Sequence, residues 1–181
     1  MNVALKEWSS VVAALEAGLQ VCLLRKGGII EADRGGFQLR HRRFLLLPTY
    51  EHQHTLLVQD RYKHLLSEIE AEGHRLSLLC EVSDILPTTG FDKLRTASTH
   101  FIWNDAFLQK RLEYKPNLPL HCILLRAYRL AAPVRIPDRP SYAGCKSWVH
   151  LTEQLDTSGA EPVLSETEFE LKRNLLHTAL Q

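Results

Sequence analysis

Glu51, His52 and His54 place a carboxylate and two imidazoles within four residues. They follow Phe44-Leu45-Leu46-Leu47, an apolar run that reads as a buried strand, and Pro48, which must end that strand or lie on a sheet edge. Polar side chains at the mouth of a buried strand reach solvent from a rigid scaffold, which is where ligand sites gather. Two chemistries are open to them. A His-x-His pair with an acid can ligate a divalent metal, His100 being a distant third ligand, and His52 can act as a general acid–base once it has a partner. Alternatively, Thr49, Glu51, His52 and Gln53 can read or position the polar edge of a nucleobase. A polar turn that caps the next helix would use the same residues.

A second group of residues suits phosphate. In Arg25-Lys26-Gly27-Gly28 two cations precede glycines that allow close backbone approach, although the same residues serve as a hairpin turn. The spacing of a Walker loop, Gly-x-x-x-x-Gly-Lys-Ser/Thr, is absent, and so is the Gly-x-Gly-x-x-Gly dinucleotide turn. Lys146, in Gly144-Cys145-Lys146-Ser147-Trp148, adds a cation beside an aromatic ring. Trp103 and Trp148 are core residues or, next to Lys and Arg, platforms for base stacking. No Gly-x-Ser-x-Gly nucleophile elbow occurs, so no catalytic residue is assigned and enzymatic activity stays open.

The chain of 181 residues is long enough for one good core. Its 45% hydrophobic and 24% charged residues are ordinary for a globular protein. No apolar run approaches a membrane span and no signal-peptide pattern opens the chain, so a cytoplasmic protein without membrane contact is expected. Cys22, Cys80, Cys122 and Cys145 form no Cys-x-x-Cys pair and read as core thiols. No metal and no cofactor are assigned. The net charge of +1 conceals two basic segments: residues 21–44 hold six Lys/Arg against two acids, and residues 105–150 hold eight against three. Were they to meet, they would form a positive face for an anionic partner.

These groups need elements to position them. Leu5, Trp8, Val12 and Leu15 have helical spacing over residues 2–17, with Gly18 as the stop. Strands are expected at 20–24, 29–31, 37–39 and 44–47, with Gly27-Gly28 turning the second back on the first. A helix over 55–72, a strand over 75–86 ending at Pro87, and a helix over 98–114 follow. Residues 118–132 form the clearest strand, bending near Pro133, and 145–151 a short last one. Residues 152–163 read as a loose linker, and Ser165 with Glu168 as the capping box of a C-terminal helix. Strands and helices without regular alternation indicate an α+β fold.

Several blocks together resemble one family, the bacterial and archaeal proteins grouped as domain of unknown function 1802 (DUF1802). They are Ala4-Leu-Lys-Glu-Trp8, Leu23-Leu-Arg-Lys-Gly-Gly-Ile29 with Glu31, Phe44 to Gln53, His100-Phe-Ile-Trp103, Arg111 with Tyr114-Lys-Pro116, and Tyr142 to Trp148. The resemblance covers residues 1–151 and implies motif positions, not an activity. A weaker similarity, carried by Leu78–Leu86 and Cys122–Leu130, looks like the strand order of PUA-like barrels, some of which hold a flipped or modified base in nucleic acid.

The expectation is therefore a single α+β core over 1–151, built on a small, mostly antiparallel, barrel-like sheet with flanking helices, then a linker and helix over 152–181. The expected role is a nucleic-acid-binding module for DNA or RNA. Arg25, Lys26 and Lys146 would contact phosphates. Thr49, Glu51, His52 and Gln53 would face a base, and Trp103 or Trp148 would stack on it. The alternatives are a metal-dependent phosphodiesterase or nuclease around Glu51, His52 and His100, and a protein-interaction domain using the C-terminal helix.

Overall fold

Strands buried on both faces read as continuous apolar runs, and three such runs organise this chain. The computed structural model describes residues 1–26, 30–33, 36–51, 53–66, 73–88, 90–144 and 146–181. Gly27, Gly28, His52 and Cys145, on which expectations were placed, lie outside the described residues. In chain order the elements are β1 (Val3–Trp8), α1 (Ser9–Glu16), β2 (Cys22–Arg25), β3 (Ile30–Asp33), β4 (Gly36–Leu39) and β5 (Arg43–Thr49), then 3-10 turns at Thr55–Leu57 and Asp60–Leu65. The second half holds β6 (His74–Thr88), α2 (Phe91–Thr96), a 3-10 turn at Ala97–His100, α3 (Asp105–Glu113) and β7 (Leu120–Ile136). A 3-10 turn at Pro140–Tyr142, β8 (Trp148–His150), β9 (Glu161–Pro162) and α4 (Glu166–Leu180) complete it.

The fold is α+β. Seven strands form one mixed sheet in the order β2-β7-β6-β5-β1-β8, with β9 also paired to β7. Only β1 and β5 run parallel; the other pairs are antiparallel. The expected barrel-like closure is not formed, because the order ends on β2 at one side and β8 at the other. The period of two then sorts the strands' side chains. Leu5, Phe44, Leu46, Leu78 and Cys80 pack with Leu15, Leu94, Phe107 and Leu176 of the four helices. Ala4, Leu45, Leu47 and Leu79 point the other way, into a smaller cluster with Tyr142, Val149, Leu151 and Leu155. Cys22, Cys80 and Cys122 are buried free thiols, as core cysteines should be.

Several elements depart from the sequence expectation. Residues 3–8 are strand rather than helix, because Ala4 to Trp8 pair with Leu45 to Thr49 on one side while Val3 to Leu5 pair with Trp148 to His150 on the other. The helix begins at Ser9 and ends where Gly18 adopts φ +67°, a conformation that disfavours a side chain. β2 pairs with β7, and β3 pairs with β4, so β2 and β3 are not the two strands of one hairpin; the Gly27-Gly28 turn expected between them lies outside the described residues. Three strands continue through prolines. Pro48 and Pro87 lie where β5 and β6 each have a single neighbour, and Pro133 lies in the irregularity opposite Leu76 to Leu78. The expected helix over 55–72 is replaced, among the described residues, by two 3-10 turns.

Residues 152–163 are anchored. The Met1 ammonium donates to Leu155 O at 2.7 Å, the Leu155 N–H to Met1 O at 2.8 Å, and β9 pairs with Tyr128 and Arg129. The Ser165/Glu168 capping box forms as expected and starts α4, which buries Phe169, Leu176 and Leu180. Among the described residues no helix is long and apolar enough to cross a membrane.

Candidate functional site

The parallel pair places the site. Lys6, Glu7 and Trp8 close β1 opposite Leu47, Pro48 and Thr49 of β5, so both strands deliver their carboxyl ends to one edge of the sheet. Crevices beyond the carboxyl ends of parallel strands are where such folds bind ligands. A cleft of about 350 Å³ opens there. Its walls come from distant parts of the chain: β1 and β5, Arg25 at the end of β2, Trp103, Phe107 and Arg111 around α3, and Lys146 and Ser147 before β8.

Arg25 ties these parts together. Although β2 and β1 are separated by three strands, an Arg25 Nη2 atom donates to Lys6 O at 2.6 Å and to Glu7 Oε2 at 2.5 Å. The Arg25 and Glu7 side chains are 13% and 10% exposed, so the ion pair is shielded from water. Glu7 Oε1 also accepts the Trp8 N–H at 2.9 Å. The Lys6 ammonium donates to Tyr142 O and Gly144 O at 2.9 and 3.0 Å, which fixes the loop that carries Lys146. Lys146 itself is exposed.

Arg111 brings surplus charge. Among the described residues its Nη2 donates one long bond, 3.4 Å, to Leu24 O, and its guanidinium lies over the Phe107 ring at 5.6 Å. Burial and then the Arg25 guanidinium push its pKa below the ordinary arginine value, with Glu7 and Tyr114 opposing. The buried Nε atoms of Arg25 and Arg111 and the Trp103 indole nitrogen have no acceptor among the described residues. Four cations (Lys6, Arg25, Arg111, Lys146) thus meet two carboxylates (Glu7, Glu51) around one cleft. The floor is closed: Trp103 and Phe107, 2% and 6% exposed, stack on each other at 4.9 Å, so Trp103 is a core ring and not the base-stacking platform expected of it, and Trp8 meets Phe107 edge-on at 5.4 Å. Gln59 holds this floor by donating to Ser98, Phe101 and Trp103 carbonyls at 2.8–2.9 Å.

Of the residues singled out in the sequence, Arg25, Thr49, Glu51, Trp103 and Lys146 converge on the cleft. Thr49 donates its hydroxyl to Glu7 O at 3.1 Å, and Glu51 stands exposed at the rim. Three others are used elsewhere. Lys26 is 8% exposed and donates to Leu112 O and Lys115 O at 2.6 and 3.4 Å, capping the carboxyl end of α3. Burial and the neighbouring Arg111 lower its pKa. Gln53 accepts the Ser9 hydroxyl and the Ser10 N–H at 3.0 and 2.9 Å, capping α1. Trp148 packs edge-on against His41 and Phe44 and does not line the cleft. His52 lies outside the described residues.

Lys6, Glu7, Trp8, Phe107 and Arg111 were not assigned to a site from sequence. Lys6 and Glu7 fall within the helix expected over residues 2–17, of which only the apolar positions were read. The available signal was that Lys6, Glu7, Trp8 and Arg111 fall in blocks that carry the family resemblance. No cluster of three or more His, Cys, Asp or Glu side chains suited to a metal occurs among the described residues. His100 lies on the 3-10 turn that packs against α4, where burial and Lys172 lower its pKa.

The model of a family described as domain of unknown function (DUF1802) matches residues 4–174, which takes in most of α4 as well as the sheet. No curated protein matches the chain.

Proposed function

The chain belongs to the DUF1802 family, and from its cleft we propose that it is a nucleic-acid-binding module that takes one nucleotide between a cationic wall and the half-buried Trp8 ring. The observation that carries this reading is the pair of guanidiniums, Arg25 and Arg111, crowded into a shielded cleft with one buried carboxylate between them. Desolvated like charges raise the free energy of the empty site, and a phosphate accepting from both arginines relieves that cost. Lys146 stands exposed at the rim, within reach of a neighbouring phosphate. Trp8, half-buried at the cleft wall, offers a ring face for a base. Glu51 supplies an exposed acceptor for a base amino group.

The volume of about 350 Å³ suits a single nucleotide and excludes a double helix. The nucleotide is therefore terminal, single-stranded or flipped from its stack. A PUA-like use of the fold belongs to the same proposal and rests on analogy alone, since architecture does not fix function.

The test is fluorescence anisotropy with labelled single- and double-stranded DNA and RNA at about 50 and about 200 mM salt. Affinity should fall with salt. Arg111→Gln should weaken it and flatten the log–log slope by about one, with circular dichroism unchanged. No binding at low salt, or an Arg111→Gln protein that binds like the parent, would overturn the reading.

A further inference from the structure

A second cleft of about 240 Å³ lies against the first and shares Trp8, Phe107 and Arg111 with it. Its remaining walls are Leu57, Lys110 and Tyr114. Tyr114 is 51% exposed, an unusual state for a large ring, and the Lys115 ammonium lies 5.3 Å from its centroid. This cleft, like the first, sets aromatic rings beside cations, here Lys110 and Arg111, and unlike the first it has no acid in its lining among the described residues. Arg111, held over Phe107, stands between the two.

Resting on the reading proposed above, we infer that the second cleft takes the base adjacent to the one in the first, so that the ligand is single-stranded nucleic acid of at least two nucleotides. Trp8 separates the two bases, and Arg111 faces the phosphate that joins them. Tyr114 closes the second subsite by stacking. Charge complementarity and continuity with the first cleft identify the occupant: a chain with one anion between two planar groups matches a wall with a guanidinium between two aromatic hollows. A paired base has its faces covered by its neighbours, so a duplex cannot enter both subsites. The carboxyl end of α3, where Tyr114 sits, is fixed by Lys26, which pre-forms the subsite before the ligand arrives.

The experiment is calorimetric titration of the full chain with thymidine 5′-monophosphate, the dinucleotide pTpT and a short blunt duplex, using the parent, Tyr114→Ala, Tyr114→Phe and Arg111→Gln. The dinucleotide should bind about tenfold more tightly than the monophosphate. Tyr114→Ala should abolish that advantage and leave the monophosphate unaffected, while Tyr114→Phe should keep it. The alanine–phenylalanine pair separates stacking from the extra phosphate, which both variants still meet. A dinucleotide no tighter than the monophosphate, or an advantage that survives Tyr114→Ala, overturns the second subsite and leaves the first intact. A monophosphate that fails to bind, or binds equally to Arg111→Gln, removes the first subsite and this inference with it.

Discussion

On α4, Arg173 donates from Nε and Nη2 to the two oxygens of Asp84 at 2.6 and 2.9 Å, and from Nη1 to Glu170 at 3.0 Å. His177 Nε2 lies 3.3 Å from the same aspartate. In the cleft, among the described residues, Arg25 has one carboxylate partner, a bond to Lys6 O and an Nε without an acceptor, and Arg111 has one long bond to a carbonyl. The α4 cluster neutralises its guanidinium internally and fastens a helix to the sheet. The cleft, among the described residues, ties β2 to β1 through the Arg25–Glu7 pair yet leaves donors unspent and cations in excess. Arg126 and Arg139, ion-paired to Glu166 and Glu153 away from the cleft, also leave Nε without an acceptor, so what sets the cleft apart is its surplus of cations over carboxylates rather than an unmatched Nε.

Glu7→Gln breaks this contrast most severely. It removes the one buried counter-charge of Arg25 and leaves two guanidiniums opposed in a shielded site. Loss of one member of a buried pair should cost about 3 kcal/mol in chemical denaturation. The cleft has a further property that the α4 cluster lacks. Inorganic phosphate should replace the missing charge, so the loss should shrink in phosphate relative to chloride at equal ionic strength. An equal loss in both salts would show that the cleft holds no anion.

Asp84→Asn tests the satisfied arginine. The Arg173 hydrogen bonds, helped by those from Ser83 and His177, lower the Asp84 pKa from 3.8 to about 2. A carboxylate depressed by that amount stabilises the fold by about 2 kcal/mol. The sign follows from the folded state holding the proton less tightly than the unfolded chain. The contribution is complete above the unfolded value of 3.8 and is lost as pH falls toward about 2. The stability gap between parent and Asp84→Asn should be constant above about pH 5 and narrow steadily below it. Phosphate should leave it unchanged, unlike Glu7→Gln. A gap that does not respond to acid would remove the ion pair as its source.

What the sequence made legible follows from the range of the interactions involved. The Phe44–Leu47 strand and the Ser165/Glu168 cap depend on neighbours within a few residues, and both were readable. Residues 2–8 were misread because Leu5, Trp8, Val12 and Leu15 keep helical spacing across a strand–helix junction. The true element is set by pairing with β5 and β8, more than forty residues away in the chain. That misreading hid Lys6 and Glu7, which a helix would have shown to solvent. Gln53 was read as a base contact because its side chain caps α1 from 43 residues away. Arg25, Thr49, Glu51, Trp103 and Lys146 were singled out by residue type alone. Their meeting depends on the parallel β1–β5 pair, which no local pattern encodes.

The adjacent cations Arg25 and Lys26 looked equivalent in sequence, and their separation gives the finest version of the same comparison. Lys26→Ala leaves Leu112 O and Lys115 O at the end of α3 without their ammonium partner. It should cost about 1 kcal/mol of stability and weaken binding only through the loosened α3. Lys146→Ala removes a side chain that lies exposed at the rim, so stability should stay within about 0.5 kcal/mol of the parent. Its effect should appear in the salt dependence of single-strand binding, as a slope shallower by about 0.7. Melting and anisotropy on the two variants read both quantities. If Lys26→Ala flattens the salt slope and Lys146→Ala does not, the phosphate path runs past α3 rather than past the loop before β8.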